Sequence, residues 1–177
     1  MTLPQRNTAL ARPTNFYYLM CKLDRAQYRN YYSPFILGDK IMIKPINHDQ
    51  ILLQQRAIPA TKQDLNVGID LKDTLNAHQA ECIGMAANMI GINKAIIIAL
   101  LGPINMVMYN PQITQKQEPY QATEGCLSLP GKRAVTRYRQ IKVTFRDQAW
   151  RLQTLQLSDI AAEIVQHEID HLNGILI

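Results

Sequence analysis

The stretch Gln166-His167-Glu168-Ile169-Asp170-His171-Leu172, close to the C-terminus of the 177-residue chain, decides the fold and the chemistry that the sequence predicts. Residues four apart lie on one face of an α-helix, about one turn or roughly 6 Å apart along its axis, so His167 and His171 can bind one metal ion. Glu168 then lies beside that ion, where a carboxylate can take the proton of a metal-activated water. The stretch therefore predicts a metal-binding helix.

The flanks of this stretch also predict a helix. Ser158 or Asp159 offers an N-cap oxygen, and Asn173-Gly174 is a typical stop signal. Between them, apolar residues recur at the three- and four-residue spacing of a buried stripe. The stripe consists of Ile160, Ala161, Ile164, Val165, Ile169 and Leu172.

The third metal ligand is expected upstream, because none of the residues from Leu172 to Ile177 can bind a metal ion. Four upstream side chains remain plausible: His48, His78, Cys82 and Cys126. Cys126 has the best context, because Gly125 lets the backbone come close to an ion and a thiolate beside two imidazoles leaves a position for water. Glu163 shares the face of the histidines but lies eight residues before His171, or about 12 Å along the axis, too far for one ion.

Two motifs of the chain resemble those of the peptide deformylases. Glu124-Gly125-Cys126-Leu127-Ser128 is similar to the second motif of that family, and Gln166 to Leu172 is similar to the third. The first family motif, Gly-x-Gly-x-Ala-Ala-x-Gln-x-Gly, resembles the segment from Cys82 to Gly91, with Cys82 in place of the first glycine and Met89 in place of the glutamine. The resemblance covers residues 42–177.

The resemblance implies an amidase that removes formyl from the N-terminal methionine of newly made polypeptides. It implies one divalent transition metal, ferrous iron foremost with zinc, nickel or cobalt as substitutes, bound by Cys126, His167 and His171. Glu168 would be the general base and acid that transfers a proton from the attacking water to the departing amine. Formylated nascent peptides are the implied substrates.

The departure at Met89 bears on the expected activity. By resemblance, the oxyanion and substrate site comprises Leu127, which supplies a backbone N–H, together with Gly84 and the position of Met89. A thioether cannot donate a hydrogen bond, and removal of one oxyanion donor elsewhere costs about 10² to 10³ in turnover. We therefore expect weak or altered activity, unless the neighbouring Asn88 turns inward and supplies an amide. The alternative is a non-catalytic or sensor-like metal-binding relative, and a metalloprotease that cleaves internal peptide bonds is disfavoured because no downstream ligand follows the helix.

Composition favours one domain with an apolar core: the chain has 177 residues, 47% of them hydrophobic. Its cysteines, at positions 21, 82 and 126, have neither an even count nor a paired spacing, which disfavours a disulfide framework and favours a reducing, cytoplasmic location. No apolar run approaches the roughly 20 residues of a membrane span.

The net charge of +5 belongs mostly to residues 1–41, which hold six Lys and Arg against two Asp, whereas the remainder holds 13 basic against 12 acidic residues. We therefore expect no direct nucleic-acid binding by a catalytic domain of residues 42–177. The first 41 residues also contain seven of the twelve aromatic residues. One hypothesis is a mis-assigned start, because Gly38-Asp39-Lys40-Ile41 can be encoded by a ribosome-binding sequence before Met42. The other is a basic arm that contacts ribosomal RNA.

The rest of the pattern predicts an α+β domain with small antiparallel sheets packed around the metal-binding helix. Val67, Leu71 and Leu75 indicate an earlier amphipathic helix, on which His78 packs, and His48 is expected at the surface. Strands are expected at residues 94–101, 106–109, 141–146 and 152–157, the third from its strict alternation of apolar and polar residues. Arg133 is a candidate for contacting the substrate backbone, and Arg137 for pairing with Glu124.

Overall fold

The computed structural model describes residues 41–177, which form one compact unit. The two hypotheses for the basic stretch of residues 1–41 concern residues that, except for Ile41, lie outside the described part of the chain.

Three α-helices and five strands make up the described part of the chain. The helices are α1 (Gln50–Leu53), α2 (Leu65–Ala77) and α3 (Asp159–Leu172), with short 3₁₀ turns at Lys62–Asp64 and Ala87–Ile90. The strands are β1 (Gly84–Ala86), β2 (Ile96–Leu101), β3 (Ile104–Cys126), β4 (Leu129–Arg146) and β5 (Leu152–Ser158). The α+β fold class that the sequence predicts is therefore confirmed.

The strands form a single antiparallel sheet in the order β1-β2-β3-β4-β5, so each strand pairs with its neighbour in the chain. Strands β3 and β4 are a long hairpin whose pairing runs from Tyr109 opposite Arg146 to Cys126 opposite Leu129. The register shifts between Gly125 and Cys126, and such an irregularity re-aims the side chain that follows it. The hairpin thus delivers Cys126 at its tip.

Alternation in β4 places Ile141, Val143 and Phe145 in the core, as the two-residue period predicts. Helix α3 packs against β1, β2, β4 and β5. Its residues Ile164, Val165, Ile169 and Leu172 are buried, together with Leu71 and Leu75 of α2. The core therefore lies between the sheet and these two helices.

The predictions that Ile160 and Ala161 belong to the buried stripe are wrong, because Ile160 is 60% exposed and Ala161 is only partly buried, whereas Ala162 is fully buried. Ile160 lies in the first turn of α3, which lines a cavity instead of facing the sheet. Periodicity identifies the apolar face of a helix but does not show how far along the helix the partner layer extends.

Helix α3 begins and ends where the sequence indicates. Ser158 is the N-cap residue, although its side chain makes no capping hydrogen bond. Asn173 is the C-cap, and Gly174 follows in the left-handed conformation with φ of 73°. A Cβ atom at Gly174 would lie 2.1 Å from the backbone oxygen of Gln54, so only glycine fits between α3 and the end of α1.

Within residues 41–177, no helix is both long and apolar enough to cross a membrane.

Candidate metal centre

The structure brings Cys126, His167 and His171 together, with one potential ligand atom of each residue within 4.8 Å of the others. The thiol of Cys126 comes from the tip of the β3–β4 hairpin, and both imidazoles come from one face of α3. The Sγ atom of Cys126 lies 3.1 Å from Nε2 of His171 and 3.4 Å from the backbone nitrogen of Ser128. Among the residues that the structure describes, this is the one cluster whose donor atoms converge in this way.

A buried ion-pair network orients His167. Glu124 Oε2 lies 2.9 Å from Nδ1 of His167, which leaves Nε2 of that ring free to face the cluster. Arg137 donates two hydrogen bonds of 2.7 Å to the Glu124 carboxylate and a further one to Asp170. The predicted pairing of Arg137 with Glu124 is therefore present, and the side chain of Arg137 is only 3% exposed.

The pKa values of the two histidines shift in opposite directions. Burial and the charges of His167 and Arg137 lower the pKa of His171 to about 3, so its ring is neutral near pH 7. Burial acts to lower the pKa of His167 as well, but hydrogen bonds with Cys126 and Glu124 raise it to about 10. Surroundings that hold a proton so strongly also favour a cation in its place.

Glu168 is buried beside these ligands. Its residue is 3% exposed, and its Oε2 atom has no hydrogen-bond partner among the described residues. A Cβ atom at Gly84 would lie 2.6 Å from Oε1 of Glu168 and 2.8 Å from Cγ2 of Ile164. Burial raises the pKa of Glu168 to about 7, which suits a group that must both accept and return a proton near neutral pH.

A cavity of about 640 Å³ opens onto this cluster. Leu127, Gly84 and Met89, the three residues expected at the oxyanion and substrate site, all line it. So do Cys126, His167 and Glu168, together with Ile160, Glu163 and Ile164 from the first half of α3. The space is large enough for a short peptide beside the cysteine and the two histidines.

Asn88 does not compensate for the missing glutamine amide. Its Nδ2 atom donates to the backbone oxygens of His171 at 2.8 Å and Leu53 at 3.3 Å, and the residue is 3% exposed. The alternative in which Asn88 turns into the cavity is therefore wrong, because the amide ties α1 to the end of α3. Met89 is buried, and its Sδ atom accepts a hydrogen bond of 3.4 Å from the N–H of Ala86.

The other candidate ligands lie outside the cluster. His48 is exposed, and its Nδ1 atom lies 3.0 Å from the backbone oxygen of Ser128. His78 ends α2 and pairs with Glu81 at 3.1 Å. Cys82 lines the cavity, but burial and the charges of Glu168 and Cys126 raise its pKa to about 11, which keeps it a thiol. Both cysteines in residues 41–177 are free.

Three further residues support the site without having been assigned a role from the sequence. Asp170 pairs with Arg137, and Gln166 bonds both backbone polar groups of Tyr138 on β4. Tyr120 on β3 donates its hydroxyl to Glu163. Asp170 and Gln166 lie within the quoted motif, whereas Tyr120 has no sequence signal. Arg133 keeps a buried Nη1 atom without a partner among the described residues.

The donor set fits one divalent transition metal. A thiolate and two imidazoles are the ligands that such ions take in sites that keep an open position. Two atoms bound to one ion at roughly 2.0 to 2.3 Å lie at most about 4.6 Å apart, and the 3.1 Å between Sγ of Cys126 and Nε2 of His171 is compatible with that. The carboxylate of Glu124 lies 2.9 Å from Nδ1 of His167, and such a carboxylate partner would fix the orientation of this imidazole towards a bound metal ion.

Comparisons with known proteins agree with this geometry. The family model for polypeptide deformylase matches residues 42–177. The peptide deformylase of Clostridium beijerinckii is 44% identical over 136 residues, which cover 77% of this chain and 100% of the relative. The crystal structure of peptide deformylase from Thermotoga maritima aligns with a TM-score of 0.69 at 30% identity, covering 76% of this chain and 94% of that one. The peptide deformylase of Thermus thermophilus aligns with a TM-score of 0.69 at 34% identity, covering 76% of this chain and 83% of that one.

Proposed function

Because the chain belongs to the polypeptide deformylase family, we propose that it hydrolyses the formyl amide at the N-terminal methionine of newly made polypeptides, with reduced turnover. The observation that carries the proposal is the convergence of Cys126, His167 and His171 beside the buried Glu168. A divalent cation held by these three residues would supply Lewis-acid chemistry, acidifying a water and polarising the formyl oxygen.

Glu168 moves the proton in this reaction. Its carboxylate lines the cavity next to His167, and its raised pKa lets it take a proton from water near neutral pH. The same carboxyl group then gives that proton to the departing amine, and formate leaves with a free N-terminus. Gly84 leaves the room that the Glu168 carboxylate occupies, because a Cβ atom there would collide with it.

The oxyanion site is where this chain departs from its family. The backbone N–H of Leu127 remains as a donor beside the cavity, whereas the Met89 side chain offers only a thioether. Loss of one such donor costs about 3 to 4 kcal/mol of transition-state stabilisation. We therefore expect slow turnover with the proton-transfer group intact.

The second candidate is a relative that binds metal without catalysis, and Met89 is the observation that favours it. Such a protein would take up one metal ion through the same three residues and release no formate. Iron(II) is the proposed native metal, with zinc, nickel or cobalt as substitutes, and contact with the ribosome is a further proposal that rests on the implied nascent-chain substrate.

The test is an anaerobic assay of the full chain, loaded with ferrous iron, on formyl-Met-Ala with formate as the readout. We expect slow release that Glu168→Ala reduces by at least about 10². The matched control is Glu118→Ala, since Glu118 lies exposed on β3 and its side chain, among the described residues, bonds only Gln140. Stoichiometric iron without formate release would favour the non-catalytic relative, and absence of metal uptake would overturn both candidates.

Met89→Gln should raise turnover by about 10² to 10³. Glutamine is close to methionine in length and volume, and its side-chain oxygen, one bond beyond the position of the sulfur, can accept from the N–H of Ala86 that the sulfur now accepts from, which leaves the amide nitrogen to donate. Met89→Leu is the control that keeps the size without a donor, and an equal gain in that variant would argue against the oxyanion explanation.

A further inference from the structure

The first half of α3 forms one wall of the cavity beside the cluster of Cys126, His167 and His171, and its side chains become more exposed with distance from that cluster. Ile164, three residues before His167, is 7% exposed, Glu163 is half-buried, and Ile160 is 60% exposed. Because residues four apart share a helix face, Glu163 lies one turn from His167, or about 6 Å away. A peptide that leaves the metal cluster along this wall meets an apolar surface first and a carboxylate next.

Glu163 is held in place by a neighbouring strand. Tyr120 of β3 donates its hydroxyl to Oε2 of Glu163. Burial and the hydrogen bond to Glu163 raise the pKa of Tyr120 to about 12, so the phenol keeps its proton and remains a donor. The carboxylate is thus a fixed part of the wall.

No basic side chain within residues 41–177 forms a salt bridge with Glu163. Arg139 lies over the Tyr120 ring at 4.9 Å and approaches Asp159 at 3.8 Å. Lys132 lines the cavity from the hairpin tip, on the wall that carries Cys126. The negative charge of the α3 wall is therefore available to a substrate.

We infer that Glu163 selects the second residue of the formylated peptide, favouring a basic side chain there and disfavouring an acidic one. The inference rests on the proposed deformylase function. The methionine side chain, next to the formyl group, lies against the apolar part of the wall at Ile164 and Met89. The following side chain lies further towards the mouth, where Glu163 and the exposed Ile160 line the cavity.

The test compares formyl-Met-Lys-Ser with formyl-Met-Glu-Ser on the iron-loaded full chain. A half-exposed pair changes binding by roughly twofold to fivefold, so attraction of lysine and repulsion of glutamate together should give about a tenfold ratio of kcat/KM. The difference should appear in KM and shrink as ionic strength rises. Glu163→Gln should bring the ratio close to one, and Glu163→Lys should reverse it.

Glu118→Lys is the control that makes the same charge change on an exposed residue of β3 outside the cavity, and it should leave the ratio unchanged. Equal kcat/KM for the two peptides, or a ratio that survives Glu163→Lys, would overturn the inference while leaving deformylation of formyl-Met-Ala intact.

A binding measurement separates the inference from the proposed function. If formyl-Met-Ala is not hydrolysed, isothermal titration of metal-loaded protein with the unformylated peptides Met-Lys-Ser and Met-Glu-Ser replaces the assay. Tighter binding of the lysine peptide that Glu163→Lys reverses would support a charge-selective wall without catalysis. Equal affinities, or no detectable binding of either peptide, would overturn it.

Discussion

Replacement of Arg137 by methionine should lower both the stability of the protein and its affinity for metal. Among the described residues, only Arg137 donates two hydrogen bonds to Glu124, and it also pairs with Asp170. Methionine fills a similar volume but leaves the buried Glu124 carboxylate facing His167 alone.

The size of the effect follows from the pKa of Glu124. Burial acts to raise that pKa, but hydrogen bonds from Arg137 and His167 outweigh burial and lower it from 4.5 to about 2. Such a difference corresponds to about 3 kcal/mol of folding free energy, shared between the two donors. Removing one partner of a buried ion pair costs about 3 to 5 kcal/mol. We therefore expect a loss of about 3 kcal/mol near pH 7.

The sign of the pH dependence is also fixed. A carboxylate with a depressed pKa stabilises the folded state above its unfolded pKa of about 4.5, and this contribution disappears as pH falls through the folded value of about 2. The difference between the Arg137→Met variant and the unsubstituted protein should therefore narrow between about pH 5 and pH 2.

Chemical denaturation at pH 7 and at pH 3 measures this difference, and titration with Ni²⁺ measures metal affinity, which should fall by about 10 to 100-fold. Arg139→Met is the matched control, since Arg139 lies two residues along the same strand with its side chain 54% exposed and its carboxylate partner 3.8 Å away. It should cost less than about 1 kcal/mol. Equal losses in both variants, or an unchanged metal affinity in Arg137→Met, would refute the reasoning.

Two glycine substitutions test close contacts. Gly84→Ala should displace Glu168, because the Oε1 atom of Glu168 would lie 2.6 Å from the new Cβ. Formate release should therefore fall by about 10², while metal content stays stoichiometric. Undiminished turnover would show that Gly84 is not part of the site. Gly174→Ala should destabilise the protein by more than about 3 kcal/mol, because φ is 73° and the backbone oxygen of Gln54 lies 2.1 Å from the new Cβ. Gly91→Ala is the control: Gly91 also has a positive φ, of 78°, but an added Cβ atom would have nothing within 4 Å. Thermal unfolding of this variant should show a loss of only about 1 kcal/mol in the free energy of unfolding. Equal losses in Gly91→Ala and Gly174→Ala would show that the clash at Gly174 relaxes.

Local patterns were sufficient for the elements whose burial follows a period. The stripe of α3 and the alternation of β4 put the right residues in the core except at Ile160, which is exposed, and Ala161, which is only partly buried while its neighbour Ala162 is fully buried. The length of β3 was not predictable, because its middle section, residues 114–119, is exposed, consists of polar residues and one proline, and is held mainly by backbone pairing with β4. Hydrophobic periodicity carries no information about such a strand.

The metal cluster and its supporting network differ in how far they can be derived from the sequence. Spacing on one helix places His167 and His171 together, and the resemblance supplies Cys126. By contrast, the contacts of Asp170 with Arg137 and of Tyr120 with Glu163 join different elements. Such contacts depend on how the hairpin lies on α3, which no local pattern encodes.

The position of Cys126 at a hairpin tip makes any bound cation a cross-link between distant parts of the chain. Cys126 and His171 are separated by 45 positions, and a closure of that length restricts the unfolded chain by about 4 kcal/mol if the ion behaves as a disulfide would. Removal of the metal ion by a chelator should therefore increase local unfolding at the turn of the hairpin more than in the rest of the sheet. Amide hydrogen exchange at Leu127 and Ser128 should accelerate on metal removal, while exchange in β2 changes little.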